Sequence, residues 1–117
     1  MTSRSLHPTT LTAAVAATMA AAALAIGAAV AEPRSVAVDI TKFAFAPKEV
    51  TVVPGTKVVW TNHDDTPHTV AANDKTFASK GLDTDDRFEF TFAKEGDYAY
   101  ICTVHPFMTG VVHVRKP

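Results

Sequence analysis

The sequence predicts an all-β domain, and three observations lead to this fold class. After Ala31, apolar and polar residues alternate in several short runs, which is the pattern of half-buried strands. Turn residues, such as Pro54-Gly55 and the segment 94–97, separate these runs at short intervals. No segment after Ala31 shows the apolar spacing of an amphipathic helix. The chain is therefore predicted to form a β-rich domain behind an N-terminal segment of different composition.

Seven short β segments follow from the alternation. They cover residues 36–40, 50–52, 58–60, 68–72, 88–92, 98–102 and 112–114. Their number and spacing predict a two-sheet sandwich or a small barrel. Trp60 and the alternating row Phe88, Phe90 and Phe92 are expected to face the core. The stretch 73–86 has no clear period and is predicted to be a loop.

The first 31 residues have the composition of a secretory signal peptide. Arg4 supplies the basic start, residues 11–30 are dominated by Ala and carry no charge, and Ala29 and Ala31 are the small residues before a cleavage site. A permanent membrane anchor of about 20 residues is the alternative, but Ala is weakly hydrophobic and no basic cluster follows. We therefore predict a helical signal peptide at 1–31 and an exported, periplasmic or secreted domain at 32–117, without a permanent membrane anchor.

Length, charge and cysteine content exclude several classes of protein. The chain has 117 residues, a formal net charge of −1 and one Cys. This size suits one small domain and not a multidomain enzyme. A single Cys excludes a disulfide scaffold, and the near-neutral charge argues against nucleic acid as a partner. Cleavage after Ala31 leaves 86 of the 117 residues, a size at which a bound metal adds useful stability.

Residues with metal-binding chemistry cluster in the loop after the sixth predicted segment. Cys102, His105 and Met108 offer a thiolate, an imidazole and a thioether at successive spacings of three residues. The spacing suits one face of a helix, but Pro106 and the short distance to the next strand favour a tight loop. Such a loop can direct all three side chains toward one ion.

A fourth donor, His68, lies at the start of a different β segment. Two nitrogens, one soft thiolate and a weak thioether form a donor set that is typical of blue-copper sites. Zinc is the nearest competitor, but structural zinc sites use four Cys or His ligands, and Met is a poor zinc ligand. Iron–sulfur clusters need four Cys residues, and a dinuclear copper centre needs a second Cys. The sequence therefore predicts one copper ion held by His68, Cys102, His105 and Met108.

Two further histidines of the predicted domain are not expected to bind the metal. His63 lies beside acidic residues and is predicted to be solvated. His113 alternates with Val112 and Val114, which face inward, so its side chain is predicted to point outward. Each predicted ligand type also has a purely structural explanation, since a lone Cys or Met often fills a core and a lone His often lies at the surface.

At these residues the chain resembles the cupredoxins, the small blue copper proteins, and among them most the amicyanins, followed by plastocyanins and pseudoazurins. The resemblance covers residues 36–114, and its most specific part is the spacing of Cys102, His105 and Met108. It is supported by Trp60-x-Asn62, Pro67-His68 and Gly96-Asp97-Tyr98. It implies a Greek-key β-sandwich that holds one type 1 copper ion at one end.

The sequence departs from the cupredoxin pattern directly after the first predicted ligand. Cupredoxins usually carry Asn there, hydrogen-bonded toward the hydroxyl residue that follows the Cys, whereas this chain has Thr69, which is expected to face Thr103. The shorter side chain predicts looser surroundings for the thiolate. The span between His68 and Cys102 is also short for the family, which indicates a trimmed loop.

These observations predict a one-electron carrier that alternates between Cu(II) and Cu(I), and not an enzyme, because the sequence offers no nucleophile–base pair or paired carboxylates. Redox donors and acceptors are expected to dock at an apolar patch around His105, Pro106 and Phe107 of a monomer. The main alternative is a periplasmic copper carrier or storage module without a redox role. A metal-free β-sandwich adaptor is a third hypothesis.

Overall fold

The computed structural model describes residues 2–5, 12–14, 16 and 34–117, and the chain divides into two units, Met1–Val30 and Ala31–Pro117. The described residues of the first unit are exposed and form neither helix nor strand. The predicted signal-peptide helix and its cleavage site fall mainly on residues outside the described ranges. Where the structure describes the chain, no helix is long and apolar enough to cross a bilayer.

The second unit consists of eight strands in two four-stranded sheets. The strands are β1 (Ser35–Thr41), β2 (Ala44–Ala46), β3 (Glu49–Val52), β4 (Thr56–Asn62), β5 (Ala71–Ala72), β6 (Arg87–Phe92), β7 (Gly96–Ile101) and β8 (Thr109–Val114). One sheet has the order β2-β1-β4-β6 and the other the order β3-β8-β7-β5. Only the β1–β2 and β7–β8 connections stay within a sheet, and the rest cross between sheets. The prediction of an all-β sandwich is confirmed.

The core between the sheets follows from the alternation along the strands. Val38 and Ile40 of β1 are buried, as are Val112 and Val114 of β8, while their sequence neighbours are more exposed. Trp60 of β4 is completely buried, as predicted. The Phe row of β6 is buried to different degrees, because Phe92 lies inside the core while Phe88 and Phe90 are half-buried and pack against it.

Three local features differ from the sequence prediction. Strand β2 has only three residues and was not predicted, because such a short run carries no alternation. The predicted segment 68–72 is a strand only at β5, since His68 instead forms an isolated bridge with Leu82. No core residue was predicted within the loop 73–86, whereas Phe77 and Leu82 are buried in the core cluster. Their burial keeps the middle of the loop packed against the sandwich.

Candidate metal centre

The loop between β7 and β8 carries three of the four predicted ligands. Cys102 follows the last residue of β7, and Met108 precedes the first residue of β8. The Cys102 N–H donates to the Met108 carbonyl at 3.1 Å, and the Met108 N–H donates to the His105 carbonyl at 2.9 Å. These bonds close the loop into a tight turn, as predicted, and place its side chains at one end of the sandwich.

His68 reaches the same place from the connection between β4 and β5. Its N–H donates to the Leu82 carbonyl at 3.1 Å and its carbonyl accepts the Leu82 N–H at 2.7 Å, which fixes the backbone. The buried amide of Asn62 organises the preceding turn, because its Nδ2 donates to the Thr66 and Leu82 carbonyls. Its Oδ1 accepts the Asp64 N–H at 2.9 Å. The His68 imidazole is consequently held in the interior without exposure to solvent.

Three donor atoms converge at this end of the sandwich. The Cys102 Sγ lies 3.7 Å from the His68 Nδ1 and 3.8 Å from the His105 Nδ1, and the two Nδ1 atoms are 3.2 Å apart. A point equidistant from three atoms at these separations lies about 2.1 Å from each, which is a normal metal–nitrogen distance and slightly short for metal–sulfur. One small ion therefore fits between them.

The Asp64 carboxylate sets the orientation of the His68 ring. Its Oδ2 lies 2.8 Å from the His68 Nε2. Desolvation raises the pKa of Asp64, but hydrogen bonds from the Phe43 N–H, from His68 and from the Lys42 N–H outweigh it, so the pKa lies below its usual value. An ionised carboxylate can only accept a hydrogen bond, so the His68 Nε2 carries the hydrogen and donates it to Asp64, and the lone pair of Nδ1 faces Cys102. A His68 ring that donates from Nε2 to a carboxylate and keeps a free lone pair on Nδ1 has the arrangement of a metal-binding imidazole.

Thr69 and Thr103 link the two ligand-bearing segments beside the sulfur. The Thr69 Oγ1 accepts the Thr103 N–H at 2.8 Å and lies 2.7 Å from the Thr103 Oγ1. The Thr69 N–H donates to the Cys102 Sγ at 3.4 Å. Thr69 and Thr103 face each other as expected. Although Thr is shorter than the usual Asn, its hydroxyl still bonds to the loop between β7 and β8.

Met108, the fourth predicted ligand, ends the loop that carries Cys102 and His105, and several apolar side chains lie at the same end of the sandwich. Met108 is buried in the core cluster at the end of the ligand loop. Cys102 is completely buried and His105 is half-buried. Three large apolar side chains at this end remain exposed: Phe43 by 43%, Val104 by 58% and Phe107 by 71%. The ring of Phe107 lies 6.0 Å from that of His105.

The structure brings His68, Cys102 and His105 together, with all ligand atoms within 4.8 Å of one another. His63 lies outside this cluster, exposed and paired with Asp39. His113 lies on the outer face of β8, paired with Asp97. Asp64 and Phe43 were not predicted from the sequence. Asp64 precedes His68 by four residues, and a carboxylate so near a predicted ligand is a usable signal because metal-bound His commonly donates to one.

Comparison with known proteins gives a consistent result. A family model described as "Cupredoxin-like domain" matches residues 11–114. Amicyanin-alpha of Methylorubrum extorquens is 39% identical over 112 residues, which cover 88% of this chain and 94% of that protein. Amicyanin of Paracoccus versutus is 36% identical over 86 residues, so the match covers 69% of this chain and 65% of that protein, just under two thirds of its length.

Solved structures show the same similarity. The crystal structure of amicyanin from Paracoccus versutus matches with a TM-score of 0.64 and 37% identity, covering 69% of this chain and 81% of that one. A Cu-containing nitrite reductase from Thermus scotoductus matches with a TM-score of 0.68 and 32% identity. That match covers 74% of this chain but only 23% of the reductase, so it is a match to one domain.

The chain belongs to the cupredoxin family. Within that family the curated relatives named above are amicyanins. The thiolate, the two imidazoles and the nearby thioether suit copper better than zinc, because the thioether is a weak, soft donor. The cofactor is one type 1 copper ion.

Proposed function

We propose that this protein is an exported one-electron carrier and not an enzyme. When bound, copper supplies the Cu(II)/Cu(I) couple. The observation that carries the proposal is the convergence of two imidazole nitrogens and one thiolate sulfur beside exposed apolar side chains. Thiolate and thioether favour Cu(I), and imidazole accepts Cu(II), so the donor set serves both oxidation states.

His68, Cys102 and His105 would hold the copper ion as its three strong ligands, and Met108 would supply a weak fourth donor. The mutual distances of the first three support their role, and the burial of Met108 at the end of the same loop supports the fourth. The backbone bonds between Cys102 and Met108, and between His68 and Leu82, restrain these residues. A restrained site moves little when an electron enters or leaves, which favours rapid transfer.

His105 is the proposed route of electrons to and from partners. It is half-buried, whereas His68 and Cys102 are completely buried, so its ring brings the ligand set nearest to solvent. The docking patch that we propose consists of His105, Pro106 and Phe107, extended by Val104. The partners are redox proteins, and brief contacts on a small surface suit electron transfer.

Export and domain limits belong to the same proposal. Residues 1–31 act as a cleaved signal peptide, and residues 32–117 act as a monomeric periplasmic domain. The charge pattern of the N-terminal segment and the small residues around Ala31 support this division. Mass spectrometry of the protein from the periplasm of an expressing bacterium should give the mass of 32–117, and size-exclusion chromatography should give a monomer.

The spectrum and voltammetry of the copper-loaded domain test the function. We expect an intense visible thiolate-to-copper band, its loss in Cys102→Ser, and a reversible one-electron wave. The copper should resist a chelator. A coloured protein that yields its copper readily and shows no reversible wave is instead a copper carrier or store. A colourless protein after addition of Cu(II) contradicts the metal site itself.

A further inference from the structure

The turn between β1 and β2 has an unusual backbone. Lys42 and Phe43 both lie in the left-handed region, with φ of 52° and 57°. Residues with a side chain rarely adopt this region, and two in succession persist only where the surroundings hold them. The sequence offers no Gly at this turn to relieve the strain. A specific interaction must therefore hold it.

The Asp64 carboxylate provides that interaction. Its Oδ1 accepts the Lys42 N–H at 2.7 Å and its Oδ2 accepts the Phe43 N–H at 3.0 Å. The same Oδ2 contacts the His68 Nε2. The Asp64 backbone is itself held, because its carbonyl accepts the Thr84 hydroxyl at 2.7 Å. One carboxylate thus connects the turn to a proposed ligand.

The turn places the Phe43 ring on the ligand imidazoles. Its centroid lies 5.2 Å from that of His68 and 5.2 Å from that of His105, and the interplanar angles are 87° and 90°. Phe43 therefore makes edge contacts with both rings, a favourable geometry for aromatic pairs. The Phe107 ring pairs with the His105 ring at a longer centroid distance of 6.0 Å.

We propose that Asp64 and Phe43 act as one positioning unit that covers the two ligand imidazoles and slows copper exchange. The inference rests on the copper site of the proposed function but does not depend on electron transfer. His68 is held by its bond to Asp64. The Nδ1 atom of His105 lies beside the Cys102 Sγ and the His68 Nδ1, which are themselves proposed ligand atoms. The orientation of the His105 ring therefore depends on packing against neighbouring rings such as Phe43.

Removal of the Phe43 ring tests whether this ring shields the two imidazoles and slows copper exchange. In Phe43→Ala, we expect copper release to a chelator to be about tenfold faster than in the unmodified protein, because His105 turns away more easily. In the copper-free protein, Cys102 should react faster with a thiol reagent. Phe43→Leu should lie between the two. Phe107→Ala removes a more exposed ring at the same end of the molecule and should change both rates much less.

Substitution of Asp64 tests the connection. Asp64→Asn retains the size of the side chain but has one acceptor oxygen in place of two. That oxygen cannot accept all three hydrogen bonds, from the Lys42 N–H, the Phe43 N–H and the His68 Nε2. We expect copper release to accelerate about 10- to 100-fold, the usual effect of losing a group that orients a metal ligand. Asp65→Asn removes the same charge at the adjacent exposed position and is the matched control. The effects of Asp64→Asn and Phe43→Ala should be less than additive, because both act through the same turn.

Three results would overturn the proposal. The first is copper release from Phe43→Ala that is no faster than from Phe107→Ala. The second is release from Asp64→Asn that is no faster than from Asp65→Asn, and the third is fully additive effects in the double variant. Circular dichroism establishes that each variant is folded, and Phe43→Leu keeps the test valid if the Ala variant is not. Failure of the unmodified protein to bind copper would contradict the proposed function. If the protein binds copper and is blue, but the variants release copper at the unmodified rate, only the proposed role of Asp64 and Phe43 is contradicted.

Discussion

At the scale of single residues, Thr69 shows that a shorter side chain beside Cys102 can still make the hydrogen bonds to Thr103. The residues of the sequence predict a looser environment for the thiolate, since Thr is shorter than the usual Asn. In the structure, the Thr69 hydroxyl nevertheless reaches both the N–H and the hydroxyl of Thr103, at 2.8 and 2.7 Å. Its Oγ1 is also 3.9 Å from the Cys102 Sγ, as a weak potential donor.

Thr69→Val retains the shape of the side chain and removes its hydroxyl. We expect the free energy of unfolding of the copper-free protein to fall by about 1 kcal/mol, because the exposed Thr103 can bond to water instead. The reduction potential should fall slightly, since one donor near the thiolate is lost. Denaturant unfolding and voltammetry measure the two effects. Thr69→Ser keeps the hydroxyl and should resemble the unmodified protein; equal behaviour of Ser and Val would contradict the role of the hydroxyl.

At the scale of elements, alternation predicts the long strands well and the short ones poorly. β1, β4 and β8 each have six or seven residues, and their inward positions follow directly from a period of two. β2 and β5 are too short to show a period. They form because the neighbouring strands β1 and β7 offer unpaired edges, which is tertiary information. Phe77 is buried for a similar reason, since it fills the space beside Trp60.

The pairing of β7 with β8 depends on Gly110. Gly110 lies opposite Tyr100, and a Cβ at this position would be 2.4 Å from the Tyr100 Cζ and hydroxyl oxygen. Gly110→Ala should therefore destabilise the fold by about 1–3 kcal/mol, the cost of overpacking a core. Thermal or denaturant unfolding measures the loss. Gly81→Ala meets nothing within 4 Å and should be nearly neutral; similar losses in both variants would contradict the steric explanation.

At the scale of the whole molecule, the sequence predicts three residues that the structure brings together, His68, Cys102 and His105, but not the residues that support them. Cys102, His105 and Met108 are close in the chain, so their chemistry is visible without a fold. Asp64 and Phe43 contact each other across 21 positions, and only the turn of β1 toward the loop after β4 brings them together. The spacing of Asp64 from His68 is visible in the sequence, but no alternation or spacing encodes the contact between Asp64 and Phe43.

The stability of the whole molecule should also depend on pH through the outer face of β8. His113 lies 2.6 Å from Asp97 and 3.5 Å from Glu49, and Arg115 also contacts Asp97. The hydrogen bond with Asp97 raises the pKa of His113 above 6.5. Hydrogen bonds from His113 and Arg115 lower the pKa of Asp97 below 3.8. The cluster thus favours a charged His113 and a charged Asp97 in the folded state.

The sign of each effect follows from linkage. The His113 contribution is complete below pH 6.5 and is lost as the pH rises through its raised pKa. The Asp97 contribution is complete above pH 3.8 and is lost as the pH falls through its lowered pKa. Denaturant unfolding of the copper-free protein should show that His113→Asn removes part of the stability at pH 5–6, below the usual His pKa of 6.5, and little at pH 9, well above it. A uniform loss across this range would contradict it.

The difference in exposure between the two imidazoles has a consequence for how such proteins diversify. The proposed docking patch is built from the loop around His105, where Val104 and Phe107 are the most exposed apolar side chains. The groups that orient the buried imidazole and the sulfur, Asp64 and Thr69, come from another stretch of the chain. Under the proposed function, replacement of the outer side chains alters partner recognition and leaves the groups around the copper site in place, so a gene duplicate can acquire a new partner by a few surface changes.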